Sequence, residues 1–231
     1  MKISFVIPCY NEKNTISTVV DQIKNSFQLI EYEILIIDDY STDGTRDILK
    51  KISEKNKTLK IFYSESNFGK GYSLRKGFEN CNGEIICIQD ADLEYDPKDL
   101  IPMVSLIKTN KADVVYGSRF RGNGPVRANL FLNRVANFII TTLTNLFTNL
   151  SLTDIECCYK VFKKEDITKI ELKENRFGIE PELTIKLSRL NLRIFEIGIS
   201  YYGRTKSEGK KIGIIDGIRA IYCIFRYGLF K

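Results

Sequence analysis

Apolar residues along this chain fall into short, nearly unbroken runs separated by stretches with helical spacing, and that rhythm predicts the architecture. Residues 3–7 form a run of the first kind, closed by Pro8. β-Branched residues in so short a continuous run predict a strand covered on both faces. From residue 14 to about 27 the spacing changes: Ile16, Val19, Val20 and Ile23 make one stripe of a helix. The alternation then repeats. Strands are predicted over residues 33–37, 59–63, 84–89 and 114–116, and helices over 43 to about 53, 69 to about 81 and 97 to about 109. Four strand–helix alternations predict an α/β fold, a mostly parallel, Rossmann-like central sheet flanked by helices and joined by right-handed crossovers.

Past residue 130 the rhythm loosens. Residues 130–150 mix apolar side chains with Asn133, Asn137, Asn145 and Asn149, and Arg134 is their only charge. That is too polar for a membrane span; it predicts a core helix or a helix flanking a lipid groove. Residues 159–162 predict an edge strand. Glu180-Pro181-Glu182 opens a helix with Leu183, Ile185, Leu187 and Leu190 on its apolar side, the two glutamates suiting its positive N-terminal end as caps. Residues 202–211 predict a basic, mobile loop, with Arg204, Lys206, Lys210 and Lys211 against Glu208. The last stretch, 214–230, is apolar at 214, 218, 221, 222, 225 and 229, with Arg219 and Arg226 on another face. Such an amphipathic helix can lie on an anionic membrane surface or dock on the protein's own core. One domain over residues 1–211 followed by this helix over 212–231 is the expected organisation.

Ligands of parallel sheets bind where the carboxyl ends of the strands meet the following loops, and here those ends are polar. The fourth strand runs straight into Asp90-Ala91-Asp92, with Glu94 and Asp96 continuing the acidic series. Residues two apart in an extended segment point the same way, so Asp90 and Asp92 can share one hard cation. Mg²⁺ or Mn²⁺ suits carboxylates and completes its shell with water and phosphate oxygens, which makes a nucleoside diphosphate the expected guest. A dinucleotide-binding turn would need G-x-G-x-x-G after the first strand; the residues there are Pro8-Cys9-Tyr10-Asn11-Glu12.

Composition narrows the chemistry. The chain has 231 residues, a net charge of +6 and no histidine, so general acid or base work falls to carboxylates. No arginine-rich tract with interleaved aromatics points to nucleic acid. Six cysteines lie at 9, 81, 87, 157, 158 and 223 without C-x-x-C spacing, as expected of reduced core residues in a cytoplasmic protein. The N-terminus lacks a signal-peptide pattern.

Several segments together carry a resemblance: FVIPCYNE at 5–12, IIDDYSTDGT at 36–45, NFGKG at 67–71, QDADLE at 89–94 and GSRF at 117–120. It extends through LTDIECCYKVF at 152–162, FGIEPELTIKL at 177–187 and SYYGRTKSEGKKIG at 200–213. In this order they resemble the inverting family 2 glycosyltransferases of GT-A fold, in particular the branch that moves mannose or glucose onto dolichyl or other polyprenyl phosphates. The resemblance implies a nucleotide-sugar donor and a polyprenyl-phosphate or glycan acceptor. By position, Pro8, Tyr10 and Glu12 would border the nucleoside, with Asp39 holding base or ribose and Lys70 in the donor loop. Asp90 and Asp92 would hold the metal, with Glu94 where relatives commonly have a glutamine ligand. Arg119, Arg134, Arg204 and Lys211 would meet donor or acceptor phosphates. Asp92, Arg119 and Asp154 are the catalytic candidates, Asp154 being equally open to a role as a turn cap. Relatives of this branch often continue into membrane spans where this chain stops, which implies a cytoplasmic protein, peripheral on a membrane at most. Two other readings stay open: a family 2 enzyme acting on a sugar hydroxyl with Asp154 or Glu156 as base, and a catalytically silent nucleotide-binding protein.

Overall fold

The computed structural model describes residues 1–122, 124–128, 131–205, 208–209 and 213–230, with Ile214 described by its backbone alone. Seven strands form one sheet in the order β3-β2-β1-β4-β6-β5-β7: β1 Ile3–Cys9, β2 Tyr32–Asp38, β3 Leu59–Tyr63, β4 Ile85–Ile88, β5 Val114–Ser118, β6 Lys160–Lys163 and β7 Ile194–Gly198. The helices are α1 Ile16–Ser26, α2 Thr45–Glu54, α3 Lys70–Asn80, α4 Leu100–Lys108, α5 Phe131–Thr148, α6 Lys164–Ile167, α7 Ile179–Ser188 and α8 Ile214–Leu229. A 3₁₀ turn, Pro97–Asp99, precedes α4 and is capped by the Asp96 carboxylate, which accepts from the Lys98 N–H.

The first half follows the hydrophobic rhythm. Ile3, Phe5, Val6 and Ile7 of β1 are fully buried at the centre of the sheet, paired in parallel with β2 on one side and β4 on the other. Helix α1 buries Ile16, Val19, Val20 and Ile23, the 3.6-residue stripe that makes it a covering layer. The strand order takes the chain outward from β1 through β2 to β3 and then back past β1 to β4, through the crossover connections that parallel neighbours require.

The second half departs from the sequence expectation in three places. The segment expected as an edge strand is β6, which lies inside the sheet, antiparallel to both β4 and β5; its residues Lys160, Val161 and Phe162 are buried, which an edge strand would not require. Strand β7, which the periodicity did not reveal, forms the actual edge beyond β5; its side chains are only partly covered, so its apolar signal is weak. Helix α5 is inverted for a core helix. It buries Asn137, Thr141 and Thr144 with Ile140, while Phe131, Leu132, Phe138, Ile139 and Leu146 stand exposed.

Helix α8 packs against α5 and α7. Ala220, Cys223, Ile224 and Tyr227 are its buried positions, whereas Ile218, Tyr222, Phe225 and Leu229 of the predicted apolar stripe remain exposed. All six cysteines are buried free thiols.

Candidate active site

Sheet polarity decides which residues meet. Strands β1, β2, β4, β5 and β7 point the same way, so their carboxyl ends lie along one edge. Because β6 runs against its neighbours, its entry rather than its exit lies at that edge. Residues 154–158 are thereby carried beside Asp90 and Arg119. A cavity of about 440 Å³ opens there. Pro8, Tyr10 and Glu12 line it after β1, Asp39 after β2, Lys70 from α3, Asp90, Asp92 and Glu94 after β4, Arg119 after β5 and Arg204 after β7.

The turn that carries the acidic residues is built locally. The Asp92 carboxylate accepts from the Glu94 N–H at 3.1 Å, and Leu93 between them sits at φ +61°. A left-handed backbone costs an L-residue roughly 1–2 kcal/mol, so this turn stores modest strain. Burial first, and then the charges of Asp90 and Glu94, push the Asp92 carboxyl up to about 7, with Arg204 opposing. Arg204 stitches the cluster together. Its Nη2 donates to Asp92 at 2.9 Å and to Glu12 at 3.1 Å, and its backbone N–H donates to Glu94 at 2.8 Å. The Tyr201 hydroxyl takes the other Glu94 oxygen at 2.8 Å. Lys70 matches this on the far side, 3.0 Å from Asp90 and 3.3 Å from Glu180.

These residues suit a divalent cation. Asp90 and Asp92 both reach the cavity with hard oxygen donors, and each is now paired with a mobile-stemmed cation that an ion can replace. Among the described residues no three His, Cys, Asp or Glu side chains are arranged to hold a metal by themselves, and both Glu94 oxygens already have partners. The pair therefore fits an ion that draws most of its ligands from water and substrate, as Mg²⁺ does.

Arg119 and Asp154 form a closed unit. The guanidinium donates through Nε and Nη2 to the two Asp154 oxygens, both at 2.7 Å, and the Arg119 N–H adds a third bond at 3.0 Å. Asp154 is fully buried and is absent from the cavity wall, so the structure assigns it to holding Arg119. The residues expected to cap α7 do something else as well. Glu182 accepts from the N–H groups of Lys173 and Glu174 and from Lys186, and Glu180 pairs with Lys160 at 2.5 Å. Both are buried charges anchoring neighbouring segments rather than caps of their own helix.

Tight packing sets Lys70 in place. Gly69 adopts φ +106°, and a Cβ there would lie 2.5 Å from the Asn175 carbonyl; one on Gly71 would lie 2.3 Å from that of Glu174. Only glycines let the first turn of α3 press against residues 174–176. Asp39 orders the same loop, its two oxygens accepting from the Phe68 and Gly69 N–H groups at 2.8 and 2.7 Å; burial raises its carboxyl despite these bonds. Arg134 stands apart, exposed on α5 with its guanidinium 5.5 Å over the Phe120 ring and away from the cavity wall. Lys211, with Lys206 and Lys210, lies outside the described residues.

Residues 4–170 match the profile of the family described as glycosyl transferase family 2. The chain belongs to that family. Among its curated relatives, a dolichol-phosphate mannosyltransferase of Pyrococcus furiosus is 28% identical over 98% of this chain and 64% of its own length. A dodecaprenyl-phosphate galacturonate synthase of Rhizobium johnstonii is 27% identical over 90% of this chain and 63% of its own. The chain thus spans a little under two thirds of the length of these two. An undecaprenyl-phosphate mannosyltransferase of Micrococcus luteus is 25% identical over 99% of this chain and 95% of its own. Among solved structures, glucosyl-3-phosphoglycerate synthase from Mycobacterium tuberculosis, in complex with Mn²⁺, UDP and phosphoglyceric acid, superposes with a TM-score of 0.76 at 19% identity, covering 98% of this chain and 78% of that one. That likeness establishes the GT-A fold.

Within the family 2 fold, several cavity residues escaped the reading of the site from sequence, among them Arg176, Glu180, Tyr201 and Asp216. Asp216 shows that the first turn of α8 reaches the site. Glu156, read earlier only as a base for hydroxyl acceptors, also lines the cavity. Burial first, then the neighbouring Glu180, pushes its carboxyl up to about 7. An unfolded glutamate titrates near 4.3, so the folded state holds a proton that the unfolded state releases as pH rises from about 4 to 7. Stability should fall across that window by roughly 4 kcal/mol at most and level off above it. Glu156→Gln is expected to flatten the melting-temperature profile between pH 4.5 and 7.5; an unchanged slope would assign the titration to another group.

Proposed function

We propose that this chain transfers a hexose from a nucleotide sugar, GDP-mannose or UDP-glucose, to a polyprenyl phosphate with inversion at the anomeric carbon. The observation that carries the reading is one cavity in which the Asp90–Asp92 pair faces Lys70, Arg119 and Arg204. Relatives named as polyprenyl-phosphate sugar transferases support the acceptor class, and the Mn²⁺ and UDP of the mycobacterial structure support the donor and ion.

An oxygen of the acceptor phosphate attacks the anomeric carbon while the bond to the nucleoside diphosphate breaks, the electron pair leaving with the diphosphate. That oxygen is already anionic at neutral pH, so no base is required. Arg204 and Lys70 exchange their carboxylate partners for phosphate oxygens, and Arg119, held by Asp154, orients the anionic acceptor. Mg²⁺ or Mn²⁺ held by Asp90 and Asp92 would neutralise charge on the departing diphosphate.

A lipid acceptor implies a membrane, and two helices support a peripheral location on its surface. Among the described residues no helix is long and apolar enough to cross a bilayer. Helices α5 and α8 pack together with Phe147 against Phe225 and expose Phe131, Leu132, Phe138, Ile218, Phe225 and Leu229. Arg134 and Arg226 stand among these residues, an apolar surface with cationic members that suits anionic headgroups. Replacing Phe138 and Phe225 together by serine is expected to lower sedimentation with phosphatidylglycerol vesicles at least tenfold while leaving the melting temperature within a few degrees. Undiminished sedimentation would move the contact elsewhere.

A second reading keeps one observation in its favour. Transfer to a sugar hydroxyl needs a base, and Glu156 at the cavity wall, with its carboxyl near neutrality, suits that work. Incubating the protein with a panel of nucleotide sugars, with and without short-chain polyprenyl phosphate, tests both. Glycosyl phospholipid formed only when the lipid is present is the expected result. Product on sugar hydroxyls alone would replace the acceptor, and no transfer from any donor would overturn the reading.

A further inference from the structure

Glu174 is a buried carboxylate that the reaction does not use. It lies between α6 and α7, is 5% exposed and is absent from the cavity wall. Two residues of α8 hold it. Arg219 donates to its two oxygens through Nε and Nη2, both at 3.0 Å, and the Tyr227 hydroxyl adds a third bond at 3.0 Å. The Glu174 N–H is taken in turn by Glu182 at 2.8 Å. Packing closes the joint: a Cβ on Gly178 would lie 2.6 Å from Cys223 Sγ on α8 and 2.9 Å from a Glu174 carboxylate oxygen. A buried charge is tolerated only where its partners are fixed, so the place of this carboxylate follows the place of α8.

The backbone of the same residue carries the donor loop. The Glu174 carbonyl accepts from Arg75 of α3, whose Nη2 also donates to the Asn175 side chain at 2.7 Å. The Asn175 carbonyl accepts from the Tyr72 N–H at 3.0 Å, one of the first-turn donors that a helix cannot satisfy internally. Gly69 and Gly71 flank Lys70, and each lacks the Cβ that would strike one of these two carbonyls. The first turn of α3 therefore rests on residues 174–175, and from that turn Lys70 enters the cavity, 3.0 Å from Asp90. Arg219 does not reach the cavity. Contacts nevertheless run unbroken from it through the Glu174 carboxylate, the 174–175 backbone and the turn of α3 to the Lys70 ammonium.

Resting on the transferase reading, we propose that Glu174 is a positioning residue: pinned by Arg219 and Tyr227 of α8, it seats the first turn of α3 so that Lys70 meets the donor's diphosphate. Misplacing a binding group by about 1 Å weakens its contribution severely, even when the change lies far from the chemistry. A brace with no bearing on the ligand would lower stability alone.

The test uses the full chain in Mn²⁺ and measures UDP and GDP affinity for each variant well below its melting temperature. The Arg219 side chain is half exposed, so water takes its place in Arg219→Gln and the fold should persist. That variant should bind the diphosphate that wild type prefers about fivefold more weakly or worse. Arg193→Gln breaks an arginine–aspartate pair with Asp113 at the opposite edge of the sheet and should stay within about twofold of wild type. Lys70→Met should lose more affinity than Arg219→Gln, and the two together should bind no more weakly than Lys70→Met, because the arginine acts only through the lysine. Should Arg219→Gln not fold, Arg219→Lys, which keeps the charge and loses the two-point grip, takes its place in the same cycle. Unchanged affinity in the folded Arg219 variant, losses that add in the double variant, or a Lys70→Met protein that binds like wild type overturns the proposal while the transferase reading stands. If neither diphosphate binds wild type, both fall.

Discussion

Asp92→Asn is expected to cut hexose transfer about a thousandfold, on the order of 4 kcal/mol of transition-state stabilisation, while the protein stays folded. The side chain keeps its shape and loses one negative charge from a cluster where Asp90 and Glu94 already stand close. Folding should therefore suffer little, because the lost ion pair to Arg204 at 2.9 Å is offset by relief of like-charge repulsion in a buried setting. Function should suffer greatly. A hard divalent cation needs carboxylate charge, and asparagine leaves Asp90 as the only charged donor of the pair. The measurement is paired: initial rates of transfer, and the melting temperature with UDP or GDP in the presence and absence of Mn²⁺. Wild type should melt higher only when nucleotide and metal are both present, and the variant should show no such rise. A variant that transfers at the wild-type rate would remove Asp92 from the reaction.

How much of this was legible in the sequence follows from what periodicity can carry. Strands β1, β2 and β4 and helix α1 were readable because each buries a continuous or 3.6-spaced apolar set, and burial is what the pattern encodes. Strand β6 was readable as a strand but not as an interior one, since four residues cannot say which neighbours they will pair with. Strand β7 was invisible because an edge strand with partly covered side chains needs no strong apolar run. The inverted helix α5 misled for the opposite reason: its apolar residues are the exposed ones, so its stripe points away from the core. In the site, Asp90, Asp92 and Arg119 were legible because each ends a strand whose direction was known. Glu180 and Tyr201 were not, because each reaches the cavity through the antiparallel insertion of β6 or the unseen β7. The E-P-E at 180–182 looked like helix capping, and only the buried Lys160 facing it distinguishes an anchored charge from a cap.

That buried pair sets the second large effect, this time on stability. Lys160→Met is expected to destabilise the fold by about 3–5 kcal/mol, because removing one member of a buried ion pair leaves the other charged and unsolvated. The ammonium is fully buried and makes three hydrogen bonds, to Glu180 and to the carbonyls of Ile155 and Cys157, with its charge 5.1 Å over the Tyr116 ring. Its loss orphans two backbone carbonyls along with a carboxylate oxygen, and each orphan carries its own penalty. Adding Glu180→Leu removes the uncompensated charge but not the orphaned carbonyls, so the double variant should recover about half the loss, a non-additivity that marks direct coupling. Urea denaturation of the two single variants and the double variant measures it. A Lys160→Met protein within 1 kcal/mol of wild type would mean that the pair is not what braces this region. The bracing matters for chemistry because residues 155 to 158, tied down by Lys160, are the entry to β6 that brings Glu156 to the cavity. A variant loosened there should lose sugar transfer before it loses nucleotide binding, since Tyr10 and Asp39 directly follow β1 and β2, strands that the pair does not touch.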